Sequence, residues 1–186
     1  MILKYEEYKN ARDMAWKILL DANVRSLPVN VGGVCRYMGI SVKYFDGAEN
    51  SDGKSLMVDG QPLILVSRNK PIPRQRFTAA HELGHILLGH VGTEKLVNRE
   101  PSPGDSPLEQ EANVFASRLL APACVLWGCG VQSERDIVKL CDISYQAAKF
   151  RWQRMQVLID RNKFLVSSLE RKVYESFLEY IESHKL

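Results

Sequence analysis

Apolar positions along the chain follow helical spacing in most stretches and alternate with polar positions in a short stretch near residue 40. Residues 5–21 have the spacing of an amphipathic helix, and residues 28–39 indicate a shorter helix that ends at Gly39. Turn residues then separate three short apolar segments. We expect these segments to form a small antiparallel sheet with the strands ISVKYF, LMV and PLILVS.

The stretch RFTAAHELGHILLGH, residues 76–90, predicts a helix that ends near Gly89. Positions four apart lie one above the other on a helix, so His81 and His85 project from one face. Glu82 follows about 100° round the helix and can reach a group held by the two imidazoles. This is the H-E-x-x-H arrangement of zinc hydrolases, in which the histidines bind Zn²⁺ and the glutamate acts as general base.

The setting of these polar residues also favours a metal site. The face with His81 and His85 carries Phe77, Gly84 and Leu88, so the histidines are expected in an apolar environment. Buried imidazoles need polar partners, and a metal ion is a natural one. The alternative is a solvated helix face with no metal.

A second helix is expected from Ser106 to just before Pro122, after a polar, proline-rich surface loop at residues 91–107. A catalytic zinc ion takes three protein ligands, so this helix should supply the third. Its candidates are Glu109 and Glu111.

Helical phase separates the two candidates. With Ala112 at the centre of the apolar face, Glu109 lies at about +60° and Glu111 at about −100°. We therefore assign Glu109 as the ligand, keep Glu111 as the alternative, and expect Glu111 to face solvent. Asn113 can orient a ligand histidine. Ser106 and Glu109 also fit an S-x-x-E capping box, which would instead use the glutamate to close the helix start.

These motifs resemble the ImmA/IrrE family of zinc metallopeptidase-like proteins. The likeness extends from about residue 10 to 155, and its most specific parts are RQRFTAAHELGHILLGH and LEQEANVFASRLLAP. LPVNVGGVCRYMGISVKYF and PLILVS give weaker support. The resemblance implies a zincin-like α+β fold, mostly helical with a small sheet, with an acidic residue of LEQEAN completing the zinc site.

The resemblance also implies a substrate. Proteins of this family act on helix-turn-helix transcriptional repressors of mobile elements, prophages or stress regulons. We therefore expect a zinc-dependent endopeptidase that cleaves such a repressor. The chain has no room for the C-terminal sensor domain of longer family members, so it is expected to be a short form.

Residues 133–155 predict two helices in a helix-turn-helix-like arrangement. Lys149, Arg151 and Arg154 would then be exposed and could contact DNA phosphates, with Gln146 or Gln153 on base edges. The alternative is a helical pair packed on the peptidase core. DNA contact would suit a different function, a non-proteolytic DNA- or repressor-binding regulator with a structural or vestigial zinc site, although an intact Glu82 favours the enzyme.

Composition bounds the remaining possibilities. The 186 residues suit a zincin-like domain at 1–125 and a C-terminal helical region at 126–186 packed on it. A net charge of +3 does not indicate any particular class of partner. The N-terminus lacks a signal-peptide pattern and no apolar run could span a membrane, so we expect a cytoplasmic protein with no membrane association. Four cysteines without C-x-x-C spacing predict buried, reduced thiols.

Two further predictions concern His90 and the C-terminal tail. His90, just past Gly89, is interpreted as a cation at a helix C-terminus. The tail carries apolar residues at helical spacing and is expected to cover the core, with a partner helix or dimer contact as the alternative and the oligomeric state left open. These apolar positions are Leu165, Leu169, Val173, Phe177 and Ile181.

Overall fold

The computed structural model describes residues 4–46, 52–90 and 106–186, and these form the predicted α+β, zincin-like fold, mostly helical with a small sheet. Its first half contains α1 (Tyr5–Asp21), α2 (Val31–Tyr37), β1 (Ser41–Phe45), β2 (Gly53–Val58), β3 (Gln61–Ser67) and α3 (Ile72–Leu87). Its second half contains α4 (Pro107–Leu120), α5 (Ala123–Gly128), α6 (Glu134–Cys141), α7 (Tyr145–Asp160), α8 (Ser168–Ser176) and α9 (Leu178–Ser183). Most of the predicted loop at 91–107 lies outside the described residues.

The sheet has the strand order β1-β3-β2 and is mixed, so the prediction of an antiparallel sheet was wrong for β1. Asp59 and Gly60 both have positive φ, at 50° and 76°, which suits the tight turn that joins β2 to β3 as an antiparallel hairpin. Strands β1 and β2 lie on opposite edges of β3. Since β1 and β3 run in the same direction, they pair in parallel, with Val42 opposite Ile64.

Helix α3 lies between the sheet and α4, and α1 packs on the other side of α4. The contact between α3 and α4 is close because Gly84 has no side chain. A Cβ at this position would lie 3.0 Å from Cδ1 of Phe115, which is fully buried. This approach brings the start of α4 beside the histidine-bearing turns of α3.

The C-terminal elements continue the same core. Helix α8 contacts both α1 and α5. The tail is not one helix, because it breaks at Phe177 into α8 and α9, but Val173, Phe177 and Ile181 are buried as their spacing predicted. The division after residue 125 stays a prediction.

The structure corrects the prediction of an exposed basic face on α7. Lys149 is exposed, but Arg151 is only 3% exposed and its Nε donates a hydrogen bond to the Ala121 carbonyl at 2.7 Å. The buried residues of α7 are Ala148, Arg151 and Met155, which lie three and four apart. Arg151 therefore belongs to the inward face of the helix.

The four cysteines are free and buried, as predicted. Burial raises the pKa of the Cys35, Cys124 and Cys141 thiols to about 12, so they stay protonated at neutral pH. No helix in the described ranges is both long and apolar enough to cross a membrane.

Gly53 is a position where β2 approaches its neighbours closely. A Cβ there would overlap the Leu65 carbonyl oxygen and lie 2.6 Å from Cγ2 of Thr78 on α3. Because the first neighbour is backbone, it cannot move aside as a side chain could. We expect Gly53→Ala to lower the free energy of unfolding by about 1–3 kcal/mol, measured by urea denaturation.

Lys54→Ala is the matched control for this prediction. Lys54 is the next residue of β2 and is exposed, so its truncation should change stability by less than about 0.5 kcal/mol. Equal stability of the two variants would contradict the close packing of β2.

Candidate metal centre

Three side chains from two helices converge on one point of the interior. The Nε2 atoms of His81 and His85 on α3 lie 3.0 Å apart. The carboxylate of Glu109 on α4 reaches both, with Oε2 at 3.2 Å from His81 Nε2 and Oε1 at 3.3 Å from His85 Nε2. Within the described residues these form the group of three whose ligand atoms lie within 4.8 Å of one another.

The start of α4 explains how Glu109 becomes available. The Ser106 hydroxyl caps the helix by accepting a hydrogen bond from the Glu109 backbone N–H at 3.3 Å. The Glu109 carboxylate does not turn back to close the cap but points to the imidazoles. Only the serine half of the predicted capping box is therefore used.

The two imidazoles give Glu109 an unusual acidity. Burial raises its pKa, but hydrogen bonds and positive charge from His81 and His85 outweigh that effect and lower the pKa to about 2. Glu109 is thus an anion across the physiological pH range.

Glu111 lies elsewhere, and the expectation that it faces solvent was wrong. Its exposed fraction is 9%, and its Oε2 lies 3.8 Å from His90 Nε2. Helix α4 is packed between α3 and α1, so its buried side is wider than its apolar stripe. Burial is the first cause of a raised pKa at Glu111, and the nearby charge of Glu7 on α1 adds to it. Glu111 is not in the group of converging ligand atoms.

Each ligand histidine has a partner behind it. His81 Nδ1 lies 3.0 Å from Oδ1 of Asn113. The amide oxygen can only accept, so Nδ1 donates a hydrogen bond to it, and Nε2, which hydrogen-bonds to Glu109 in this structure, is the nitrogen that can give a lone pair to a metal. This is the tautomer that a metal ligand requires.

His85 has an imidazole behind it instead of an amide. Its Nδ1 lies 3.0 Å from Nδ1 of His90. Burial, followed by the charge of His85, lowers the pKa of His90 to about 4, so His90 is neutral at pH 7 and the interpretation as a helix-end cation was wrong. When His85 Nδ1 donates to His90, His85 Nε2 is likewise the nitrogen that can bind a metal, and the His90 N–H points towards Glu111.

Glu82 is fully buried beside the histidines, and its two carboxylate oxygens differ. Oε2 accepts a 2.7 Å hydrogen bond from the hydroxyl of Ser55 on β2. Oε1 is buried and has no hydrogen-bond partner among the residues that the structure describes. A buried carboxylate oxygen without a partner is costly in free energy, which points to a polar group that it meets during function.

The sequence reasoning missed Ser55. Its signal was weak but present, because Gly53 and Ser55 are two apart on a strand and so share a face. That face is the one that packs on α3, as the contact of Gly53 with Thr78 shows. The packing of β2 on α3 cannot be read from local spacing.

The residues present fit a zinc ion. Two neutral imidazole nitrogens and one carboxylate are a donor set of catalytic zinc sites, and they leave a further position for another molecule. The two histidines are buried and Glu109 is partly buried, the outer atoms of the histidines are paired, and one oxygen of Glu82 has no partner among the described residues. Magnesium and calcium sites use oxygen ligands and fit this set less well.

Comparison with protein families identifies the same region. The model of the IrrE N-terminal-like domain, family Peptidase_M78, matches residues 35–153. This segment contains His81, Glu82, His85 and Glu109, and it also contains Ser55. A search of curated proteins found no match. Since the family model covers more than half of the 186 residues, the chain belongs to the metallopeptidase-type family of IrrE N-terminal-like domains.

Proposed function

We propose that this protein is a zinc-dependent endopeptidase. The observation that carries the proposal is the convergence of His81, His85 and Glu109 beside a buried Glu82 with one unpaired oxygen. In this proposal those three side chains hold zinc, and Glu82 is the general base. A purely structural metal site would not need a general base such as Glu82.

The residues have separate tasks in peptide hydrolysis. A zinc ion bound here would lower the pKa of a water molecule and polarise the scissile carbonyl. Glu82 Oε1 accepts the proton that the attacking water loses and passes it to the leaving nitrogen. The water oxygen bonds to the carbonyl carbon as the C–N bond breaks. Ser55 holds Oε2, so that the free oxygen keeps one orientation.

We infer that the substrate is a helix-turn-helix transcriptional repressor of a mobile element, prophage or stress regulon. Membership of the IrrE-like family and the resemblance of the two helix motifs to ImmA/IrrE proteins support this substrate class. A cytoplasmic location would suit such a substrate.

A non-proteolytic regulator has less support from the described residues. Its DNA contact relied on Lys149, Arg151 and Arg154 as exposed cations, and Arg151 is buried. The Glu82 experiment below separates this regulator from the peptidase.

The first prediction concerns zinc content. The purified protein should hold about one zinc per chain, and His81→Ala, His85→Ala or Glu109→Gln should lose most of it, because two remaining protein ligands bind weakly. Glu111→Gln should keep it. Atomic absorption after gel filtration measures the zinc content.

Asn113→Ala should retain the site but weaken zinc affinity about 10- to 100-fold, since Asn113 orients His81.

Glu111→Gln is the matched control, since it is the same change two residues away on α4. Zinc loss in this variant with retention in Glu109→Gln would contradict the assignment of the third ligand. Circular dichroism of each variant separates loss of metal from loss of fold.

The second prediction separates chemistry from metal binding. Glu82→Gln keeps the size of the side chain but removes the basic carboxylate, so zinc should stay and hydrolysis should fall by a factor of about 100 to 10,000. The substrate to test is a helix-turn-helix repressor, with any repressor encoded beside this gene as the first choice, incubated with wild type or variant and resolved on a gel with and without a chelator. Wild type should give discrete fragments that the chelator abolishes.

The contrary result is equally specific. If wild type and Glu82→Gln relieve repression equally in cells and no fragments form, the protein acts by contact and the endopeptidase proposal fails.

The third prediction tests Ser55 as a positioning residue. Ser55→Ala should lower kcat by about tenfold with zinc content and KM unchanged, because Glu82 loses a hydrogen bond that fixes its orientation. Ser55→Thr, which keeps the hydroxyl, should recover part of the rate. In the Glu82→Gln background Ser55→Ala should have little further effect on kcat.

Ser67→Ala is the control for this series. Ser67 on β3 is also buried, but its hydroxyl has no hydrogen-bond partner in the described part of the chain, so its removal should leave kcat unchanged. A similar loss in both variants would assign the effect to sheet packing and contradict the role of Ser55.

A further inference from the structure

Three arginines lie around Tyr8 near the C-terminal end of α4, whereas the metal centre lies at its N-terminal end. Arg118 on α4 donates a 2.8 Å hydrogen bond from Nη2 to the Tyr8 hydroxyl. The Cζ atoms of Arg118 and Arg154 lie 5.3 Å and 5.6 Å from the centre of the Tyr8 ring. Arg151, one turn before Arg154 on α7, completes this arginine cluster of Arg118, Arg151 and Arg154.

The cluster carries positive charge without an acidic partner. Among residues 4–46, 52–90 and 106–186, no carboxylate forms an ion pair with any of its three arginines. Arg151 is almost completely buried, and within the described ranges its Nη2 has no hydrogen-bond partner. Nε of Arg154 is also buried and has no partner in the same ranges. A buried cation such as Arg151 is costly in free energy unless an anion balances its charge.

The C-terminal end of α4 balances the positive charge of the arginine cluster only in part. Arg151 Nε donates to the carbonyl of Ala121, the C-cap residue of α4, where the helix dipole is negative. A helix terminus carries about half an elementary charge, against three guanidinium charges. A further negative group would therefore stabilise the cluster.

We propose that Tyr8, Arg118 and Arg154 form a binding site for a phosphate-type oxyanion, with the buried Arg151 adding positive charge beneath it. Tyr8, Arg118 and Arg154 are half-buried and so remain within reach of a ligand, while Arg151 is enclosed. Guanidinium groups match the oxygens of phosphate with paired N–H donors, and a tyrosine hydroxyl can add one more.

The acidity of Tyr8 reports the same positive field. Burial raises the pKa of its hydroxyl, but the charge and hydrogen bond of Arg118 and the charges of Arg154 and Arg151 lower it to about 8. The surroundings therefore favour negative charge at the position of the phenol oxygen. The source of the oxyanion is either free phosphate or the phosphoryl group of a larger molecule, and the experiment separates them.

Calorimetric titration of the full chain with inorganic phosphate, at constant ionic strength set by chloride, tests the site. Wild type should bind phosphate saturably, and Arg154→Gln should weaken the affinity about tenfold, because one charged donor is lost. Arg135→Gln, the same change at an exposed position of α6, should bind as wild type does. Tyr8→Phe keeps the ring but removes the hydroxyl, and should also weaken binding.

Phosphate can also bind zinc, so the titrations are repeated in the His81→Ala background, where the dependence on Arg154 should persist. If Arg154→Gln does not fold, Tyr8→Phe decides. Absence of saturable binding both of phosphate and of a short DNA duplex, or equal affinity in wild type and the Tyr8 or Arg154 variant, overturns the site. A parallel titration with the duplex identifies the source: binding of the duplex that depends on Arg154, without binding of free phosphate, assigns the oxyanion to a phosphoryl group of a larger molecule.

Discussion

The close packing of α3 on α4 at Gly84 is the constraint on which the site depends. Without a Cβ at Gly84, the ring of Phe115 lies directly against the α3 backbone, between the two turns that carry the histidines. The carboxylate of Glu109 then reaches both Nε2 atoms at 3.2–3.3 Å. A larger residue at position 84 would separate the helices, and a metal site tolerates only a few tenths of an ångström of such movement.

The polar groups of the site are arranged so that their outward atoms are paired and their inward atoms are available. Asn113 holds the outer nitrogen of His81, and His90 holds that of His85. Ser55 pairs with one oxygen of Glu82 and leaves the other without a partner. Such pairing fixes tautomer and ring orientation before any ligand arrives, so little reorganisation is needed when chemistry occurs.

Local spacing predicted the parts of the site that lie on single helices. The pair of His81 and His85 follows from helical periodicity, and the helical phase of α4 selected Glu109, which the structure brings to both histidines. The errors concern contacts between elements. The burial of Glu111 depends on α1 and α3 together, the inward turn of Arg151 depends on where α4 ends, and the parallel pairing of β1 depends on a crossover. None of these contacts can be predicted from the periodicity of a single segment.

The polarity of α4 gives its two ends opposite roles. The partial positive charge of its N-terminus favours the anionic Glu109, and the partial negative charge of its C-terminus favours Arg118 and the buried Arg151. Each end thus stabilises side chains of one sign, and these side chains suit a ligand of the other sign. A metal cation fits the carboxylate end and the proposed oxyanion fits the arginine end, and about 13 Å of helix separates Glu109 from Arg118. The direction of one helix therefore determines which chemistry each end of it can support.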